Sequence, residues 1–184
     1  MKQGLILIDI QNDYFPGGKM ELVGMEKAAN NAGKLLDNFR EVKLPVFHVQ
    51  HISSRPGATF FIPGTEGVNL HESVTPLPGE LVVQKSFPNS FRDTPLLNHL
   101  NAADVQSVVI CGAMSHMCVD ATTRAAFDLG FSCVVIDDAC ATRNLQHKGN
   151  VIEAEKVHGA FMAALAALYA KVISLNDFSS HFKT

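Results

Sequence analysis

Six short apolar runs, rich in β-branched residues, recur along the chain, and most are separated by segments of helical period. They fall at residues 4–10, 45–52, 81–85, 106–112, 132–136 and 171–175. Each is too short for a buried helix and is bounded by Gly, Pro or charged residues, so each reads as a strand buried on both faces. Between them, residues 25–42 place Ala28, Ala32, Leu35, Leu36, Phe39 and Val42 on one helical face. Residues 94–102 start with Thr94 as cap and Pro95 at the first helical position. Residues 117–129 and the Ala-rich stretch 150–167 complete the helices, and the last residues read as a tail. Strands alternating with helices predict a parallel sheet covered on both sides. With right-handed crossovers and one reversal of winding, this is an α/β fold: a Rossmann-like three-layer αβα sandwich with a six-stranded parallel sheet of order 3-2-1-4-5-6.

A chain of 184 residues, 47% hydrophobic and 18% charged, suits one globular domain over residues 1–184. A net charge of -3 without a clustered basic face argues against a nucleic-acid partner. No apolar run reaches the length of a membrane span, and the N-terminal run ending at Asp9 is too short for an export signal. The expectation is therefore a cytoplasmic protein that binds neither nucleic acid nor membrane. Four cysteines, at 111, 118, 133 and 140, show no CxxC pair and no zinc spacing. Cys111, Cys133 and Cys140 read as small packing residues.

In an open parallel sheet the ligand crevice lies beyond the carboxyl ends of the strands at the switch point. Asp9 ends the first strand, Lys85 ends the third, and Cys118 follows the fourth at the start of a helix. A thiol near a helix N-terminus meets unpaired N–H groups and the positive end of the macrodipole, which favour the nucleophilic thiolate. Asp9 is then the general base for that thiol, and Lys85 supplies the positive charge that orients it. Backbone N–H groups of Met114 and Cys118, in the turn Gly112-Ala113-Met114-Ser115-His116-Met117, are expected to meet at one point and hold an oxyanion. Around this centre, Phe15, Phe60, Phe61 and Phe91 read as apolar pocket walls, joined by Phe87. Gln11, His51, His116 and Arg55 read as polar contacts. Arg124 is assigned to a structural ion pair, Asp13 to the turn that presents Asp9, and Asp137 and Asp138 to turns or helix caps.

The runs Ile6-Leu7-Ile8-Asp9-Ile10-Gln11-Asn12-Asp13-Tyr14-Phe15, Val82-Val83-Gln84-Lys85-Ser86-Phe87 and Cys111-Gly112-Ala113-Met114-Ser115-His116-Met117-Cys118-Val119, in that order, resemble the isochorismatase-like cysteine hydrolase superfamily. Val134-Val135-Ile136-Asp137-Asp138-Ala139-Cys140-Ala141 also fits, so the resemblance spans residues 4–175. It implies a triad of Asp9, Lys85 and Cys118, and a cis peptide between Ala113 and Met114 that shapes the oxyanion hole. It further implies cleavage of a C–N bond of a small amide or carbamoyl compound through a thioester, in a homodimer or homotetramer. Metal-dependent nicotinamidases of the superfamily carry Asp-x-His just after the second strand and another His downstream. Here that region reads Val49-Gln50-His51-Ile52-Ser53-Ser54-Arg55, with His51 in the place of the Asp and Ser53 in that of the His. His71 alone makes no site, so neither metal nor cofactor is expected. Two alternatives stay open: a metal-free isochorismatase that cleaves a vinyl ether with Asp9 as proton donor, and a binding protein whose triad is idle.

Overall fold

The computed structural model describes residues 1–182. Its core is a parallel sheet of β1 (Gln3–Ile8), β2 (Val46–His51), β3 (Leu81–Lys85), β4 (Ser107–Ala113), β5 (Ser132–Ala141) and β8 (Lys171–Ile173), in the order β3-β2-β1-β4-β5-β8. Numbered within the sheet this is 3-2-1-4-5-6, the order expected from the sequence. The central strands are the most deeply buried: all of β4 and five of the six residues of β1. Such strands must be apolar along their length, which is why Leu5-Ile6-Leu7-Ile8 and Val108-Val109-Ile110-Cys111 show no alternation.

Helices cover both faces. α1 (Met25–Glu41) presents Ala28, Ala32, Leu35, Leu36 and Phe39 to the sheet. It shares its side with α5 (Leu175–Phe182), where the rings of Phe39 and Phe178 stack with centroids 6.2 Å apart. α3 (Asp120–Asp128) and α4 (Ala154–Ala166) cover the other side, and α2 (Leu96–Ala102) precedes β4. In the last turn of α1, Arg40 donates to both oxygens of Glu80 at 2.8 Å, and Glu80 Oε2 lies 2.9 Å from Nε2 of the fully buried His48.

The structure corrects several boundaries. Residues 150–167 are not one helix. Leu145–His147 (β6) and Asn150–Ile152 (β7) form an antiparallel hairpin, and α4 starts only at Ala154. Lys148 and Gly149 both have positive φ, 49° and 81°, the primed turn that joins two short strands. Asn144 Oδ1 then accepts the Ala154 N–H at 2.8 Å and opens the helix. The tail is α5 instead. Ser174 Oγ accepts the Asp177 N–H, Asp138 accepts the Leu175 N–H at 2.8 Å, and Phe178 supplies the buried anchor. α1 stops at Glu41, leaving Val42 half exposed, and Pro95 precedes α2 rather than opening it. The helix expected from Met117 begins as a single π turn, Ser115–Val119, before α3. Strand five runs on to Ala141, past an irregularity in its pairing with β4 between Ile110 and Gly112.

Candidate active site

The sheet register brings three strand ends together. Ile8 pairs with Val49 on one side and Gly112 on the other, and His51 pairs with Lys85. The residue after Ile8 is therefore level with the ends of β2, β3 and β4. That residue, Asp9, has a left-handed backbone with φ 52°. An L-residue held there costs on the order of 1 kcal/mol and persists only where its surroundings fix it. Here the Asp9 N–H is bound to Val49 O at 3.0 Å, and its C=O to the Gln11 N–H at 2.9 Å.

Lys85 stands at the centre of the cluster. Its Nζ donates to Asp9 Oδ2 at 2.7 Å, lies 3.0 Å from His51 Nδ1 and donates to Cys118 Sγ at 3.2 Å. Neither the Lys85 nor the Asp9 side chain is exposed. Burial works against the ammonium, but the Asp9 carboxylate and Cys118 beside it win and hold the Lys85 pKa above its ordinary value. His51 is driven down to about 4 by burial, with Lys85 and Arg55 adding to the effect, so its ring is neutral and Nδ1 accepts from the ammonium. Burial also pushes the Cys118 thiol up; the neighbouring Asp9 carboxylate adds to this, and Lys85 offsets only part of it. The resting cluster is thus an ammonium, a carboxylate, a neutral imidazole and a protonated thiol. Desolvation and the nearby anion work against the thiolate that the helix position favours.

Cys118 reaches this point through an irregular turn. Gly112 has φ 122°, and a Cβ there would overlap the Ile8 carbonyl oxygen, so only glycine lets β4 pass β1 this closely. The Ala113–Met114 peptide is cis. In the π turn that follows, the Val119 N–H bonds Met114 O at 3.2 Å. The turn is tied down from outside: Ser115 Oγ donates to Ala141 O at 3.2 Å and lies 2.8 Å from His158 Nδ1 of α4.

Cys118 opens onto a cavity of about 340 Å³, walled by Tyr14, Phe60, Met114 and Met117, with His51 and Arg55 also on its lining. The other expected pocket residues do not line it, each for a physical reason. Gln11 is fully buried and its amide is spent on the backbone: Nε2 donates to His51 O and Val68 O, and Oε1 accepts the His51 N–H. Phe15 points away and stacks on His71 at 3.6 Å, in a separate cleft of about 700 Å³ that contains no residue of the cluster. Phe61 is a core residue beneath Tyr14, and Phe91 packs towards Phe131. His116 bonds Thr142 Oγ1 at 2.6 Å and braces the turn from outside. Phe87 lies under the Arg92 guanidinium, and Arg124 pairs with Asp120 at 2.9 Å. The sequence reading passed over Tyr14 and Met117. Of the adjacent aromatics Tyr14 and Phe15, the short turn Asn12–Tyr14 decides which faces the thiol, and no periodicity reports that.

Asp9, His51 and Cys118 offer ligand atoms within 4.8 Å of one another, a spacing that could hold a metal ion. The Lys85 ammonium already makes contact with all three, so a cation would have to displace a charge that each of them uses. His71 does not join this set; its Nδ1 accepts the Ser73 N–H.

This arrangement is that of a cysteine hydrolase: a nucleophile beside a carboxylate, a cation and an imidazole, on the wall of a cavity. A sequence profile described as Isochorismatase domain matches residues 3–177. The uncharacterised isochorismatase family protein YddQ of Bacillus subtilis is 54% identical over 178 residues, covering 97% of this chain and 99% of that one. A crystal structure of a provisionally assigned isochorismatase hydrolase from Oleispira antarctica superposes with a TM-score of 0.94 at 49% identity, over 97% of this chain and 96% of the other. A streptothricin hydrolase of Streptomyces noursei is 36% identical over 143 residues, 78% of this chain and 51% of that protein. By cluster, fold and sequence together, the chain belongs to the isochorismatase family of hydrolases.

Proposed function

We propose that the protein hydrolyses a C–N bond of amide or carbamoyl type in a small molecule, through a covalent thioester at Cys118. Cys118 Sγ attacks the carbonyl carbon as its proton passes to Asp9. Because the resting thiol is protonated, attack and proton transfer go together rather than through a preformed thiolate. The amides of Met114 and Cys118, both on the cavity wall, hold the oxyanion. Asp9 returns the proton to the departing nitrogen, then takes one from the water that releases the acid and restores the thiol. Lys85 stays cationic and offsets the negative charge that moves between Asp9 and the oxyanion.

One observation carries this reading: Lys85 Nζ bridges Asp9 Oδ2 and Cys118 Sγ at 2.7 and 3.2 Å beside a cavity sized for a small molecule. The test is turnover of a panel of small amides, carbamoyl compounds and isochorismate by wild type and Cys118→Ala, with and without chelator. Amide hydrolysis that needs Cys118 and ignores chelator is the expected result. Isochorismate cleavage that survives in Cys118→Ala would move the assignment to vinyl-ether chemistry. Asp9 Oδ1, buried and without a hydrogen-bond partner among the described residues, is the atom that would then donate the proton.

The same reading has the protein work as a homodimer or homotetramer in the reducing cytoplasm. Support comes from the small residues Gly159, Ala160, Ala163 and Ala164 exposed on α4, from the exposed apolar side chains Val151, Ile152 and Leu168, and from four unpaired cysteines. Sedimentation velocity checks the assembly. No helix among the described residues is long and apolar enough to cross a membrane.

A further inference from the structure

Tyr14 ends the short turn that follows Asp9, and its side chain is 2% exposed. Its ring is fixed by Phe61, centroids 4.6 Å apart, and by Phe60 at 6.2 Å. It lines the cavity that holds Cys118. The other polar side chains of this turn are committed. Gln11 binds the backbone of His51 and Val68, Asn12 donates to Glu66 O, and Asp13 accepts the N–H groups of Phe61 and Lys19. Among the described residues the Tyr14 hydroxyl has no hydrogen-bond partner. Nor is it one of the buried side-chain atoms sealed off without a partner, so it keeps contact with the cavity, where a substrate atom can take the place of water. Burial, with the Asp9 carboxylate adding to it, holds the phenol pKa well above its ordinary value, so the hydroxyl is a donor when substrate arrives. The same lining includes apolar Phe60, Met114, Met117 and Pro88, and its polar side chains include Arg55, Thr59 and Ser86.

We propose that Tyr14 is a specificity-determining residue whose hydroxyl donates a hydrogen bond to an oxygen or nitrogen acceptor that the substrate carries beyond its scissile carbonyl. The site therefore takes acceptor-bearing amides in preference to plain aryl or alkyl amides of the same shape. This rests on the hydrolase reading above, and it adds what the acyl part of the substrate must contain. Apolar walls alone discriminate weakly between isosteres. A site that hydrogen-bonds one substrate atom rejects the analogue lacking it far more strongly, because its own polar group is left unpaired.

The experiment compares wild type and Tyr14→Phe on matched pairs, pyridine carboxamides against benzamide and succinamic acid against butyramide, with thermal unfolding of both proteins. The expected result is a kcat/KM preference of wild type for the acceptor-bearing member of at least one pair. Tyr14→Phe should erase that preference, losing about tenfold or more on the acceptor-bearing member. It should change the plain member by less than about twofold and unfold no earlier than wild type. Equal loss on both members would make the hydroxyl part of the general catalytic machinery and overturn the proposal. No change on any substrate that wild type turns over through Cys118 would overturn it too, leaving the hydrolase reading intact. Wild type that hydrolyses no amide overturns the hydrolase reading, and this one with it.

Discussion

Lys85 and Asp9 form an ion pair 2.7 Å long from which water is excluded on both sides. Two buried charges are tolerable only together, since each offsets the desolvation of the other. Lys85→Met should therefore cost about 3–5 kcal/mol of stability, by stranding a carboxylate, as well as abolishing turnover. Urea unfolding checks this. The Lys85→Met/Asp9→Asn double variant should regain most of the stability and none of the activity. A single variant as stable as wild type would mean that the pair contributes nothing to the fold.

The protonated thiol sets how Cys118 meets an alkylating agent. Iodoacetamide should label Cys118 slowly at neutral pH, with a rate that climbs only above the ordinary thiol value of 9.0. Asp9 is one of the groups that hold the thiol up, so Asp9→Asn should move this limb to lower pH while removing turnover. Mass mapping of the labelled cysteine against pH is the measurement. A full labelling rate at pH 6 in wild type would contradict the electrostatics described for the cluster.

Glu80 is drawn down to about 2, chiefly by its hydrogen bonds from Arg40. A carboxylate whose pKa falls on folding contributes stability above its unfolded value, here 4.5, and loses it as pH drops towards the folded value. Glu80→Gln should cost on the order of 2 kcal/mol at pH 7, allowing for its partial exposure, and that gap should close between pH 4.5 and 2. Paired denaturation curves across this window test it. A gap that does not change with pH would show that packing, not charge, makes the contribution.

Gly112→Ala should destabilise the protein by more than about 2 kcal/mol, since the new methyl meets backbone rather than a side chain that can move aside. Gly149→Ala, also at positive φ but in open space, should cost about 1 kcal/mol, the backbone penalty alone. Comparing the two melting temperatures separates collision from conformation. Equal losses would mean that β4 can retreat from β1.

The sheet was readable because its central strands are apolar on both faces, and the order of the elements then leaves few topologies. The placement of Asp9, Lys85 and Cys118 at strand ends followed from the same logic. What escaped was set by turns and by competition between fields. The Lys148-Gly149 hairpin was hidden inside an Ala-rich stretch with helical pattern, and α5 joins its local Ser174 cap to a buried Phe178 and a distant Asp138 that spacing does not report. The protonation of Cys118 depends on how completely it is buried and how near Asp9 lies, neither of which spacing encodes. Gln11 and Phe15 were misjudged because adjacent residues in an irregular turn point in unrelated directions, and a polar side chain near a pocket can be spent on backbone.

Asp13 accepts the Phe61 N–H at 2.6 Å and the Lys19 N–H at 3.2 Å, and Gly67 lies flat against its carboxylate. One side chain on the turn beside the reacting groups thus fastens three separate stretches of chain from below. Residues 54–59 form part of the cavity wall, with Arg55 and Thr59 exposed, and none of them bonds to Asp13. Replacements at this rim change the shape presented to an incoming molecule without disturbing the fastening underneath. A scaffold of this kind lets descendants exchange one substrate for another while the sulfur, the carboxylate and the ammonium keep their places.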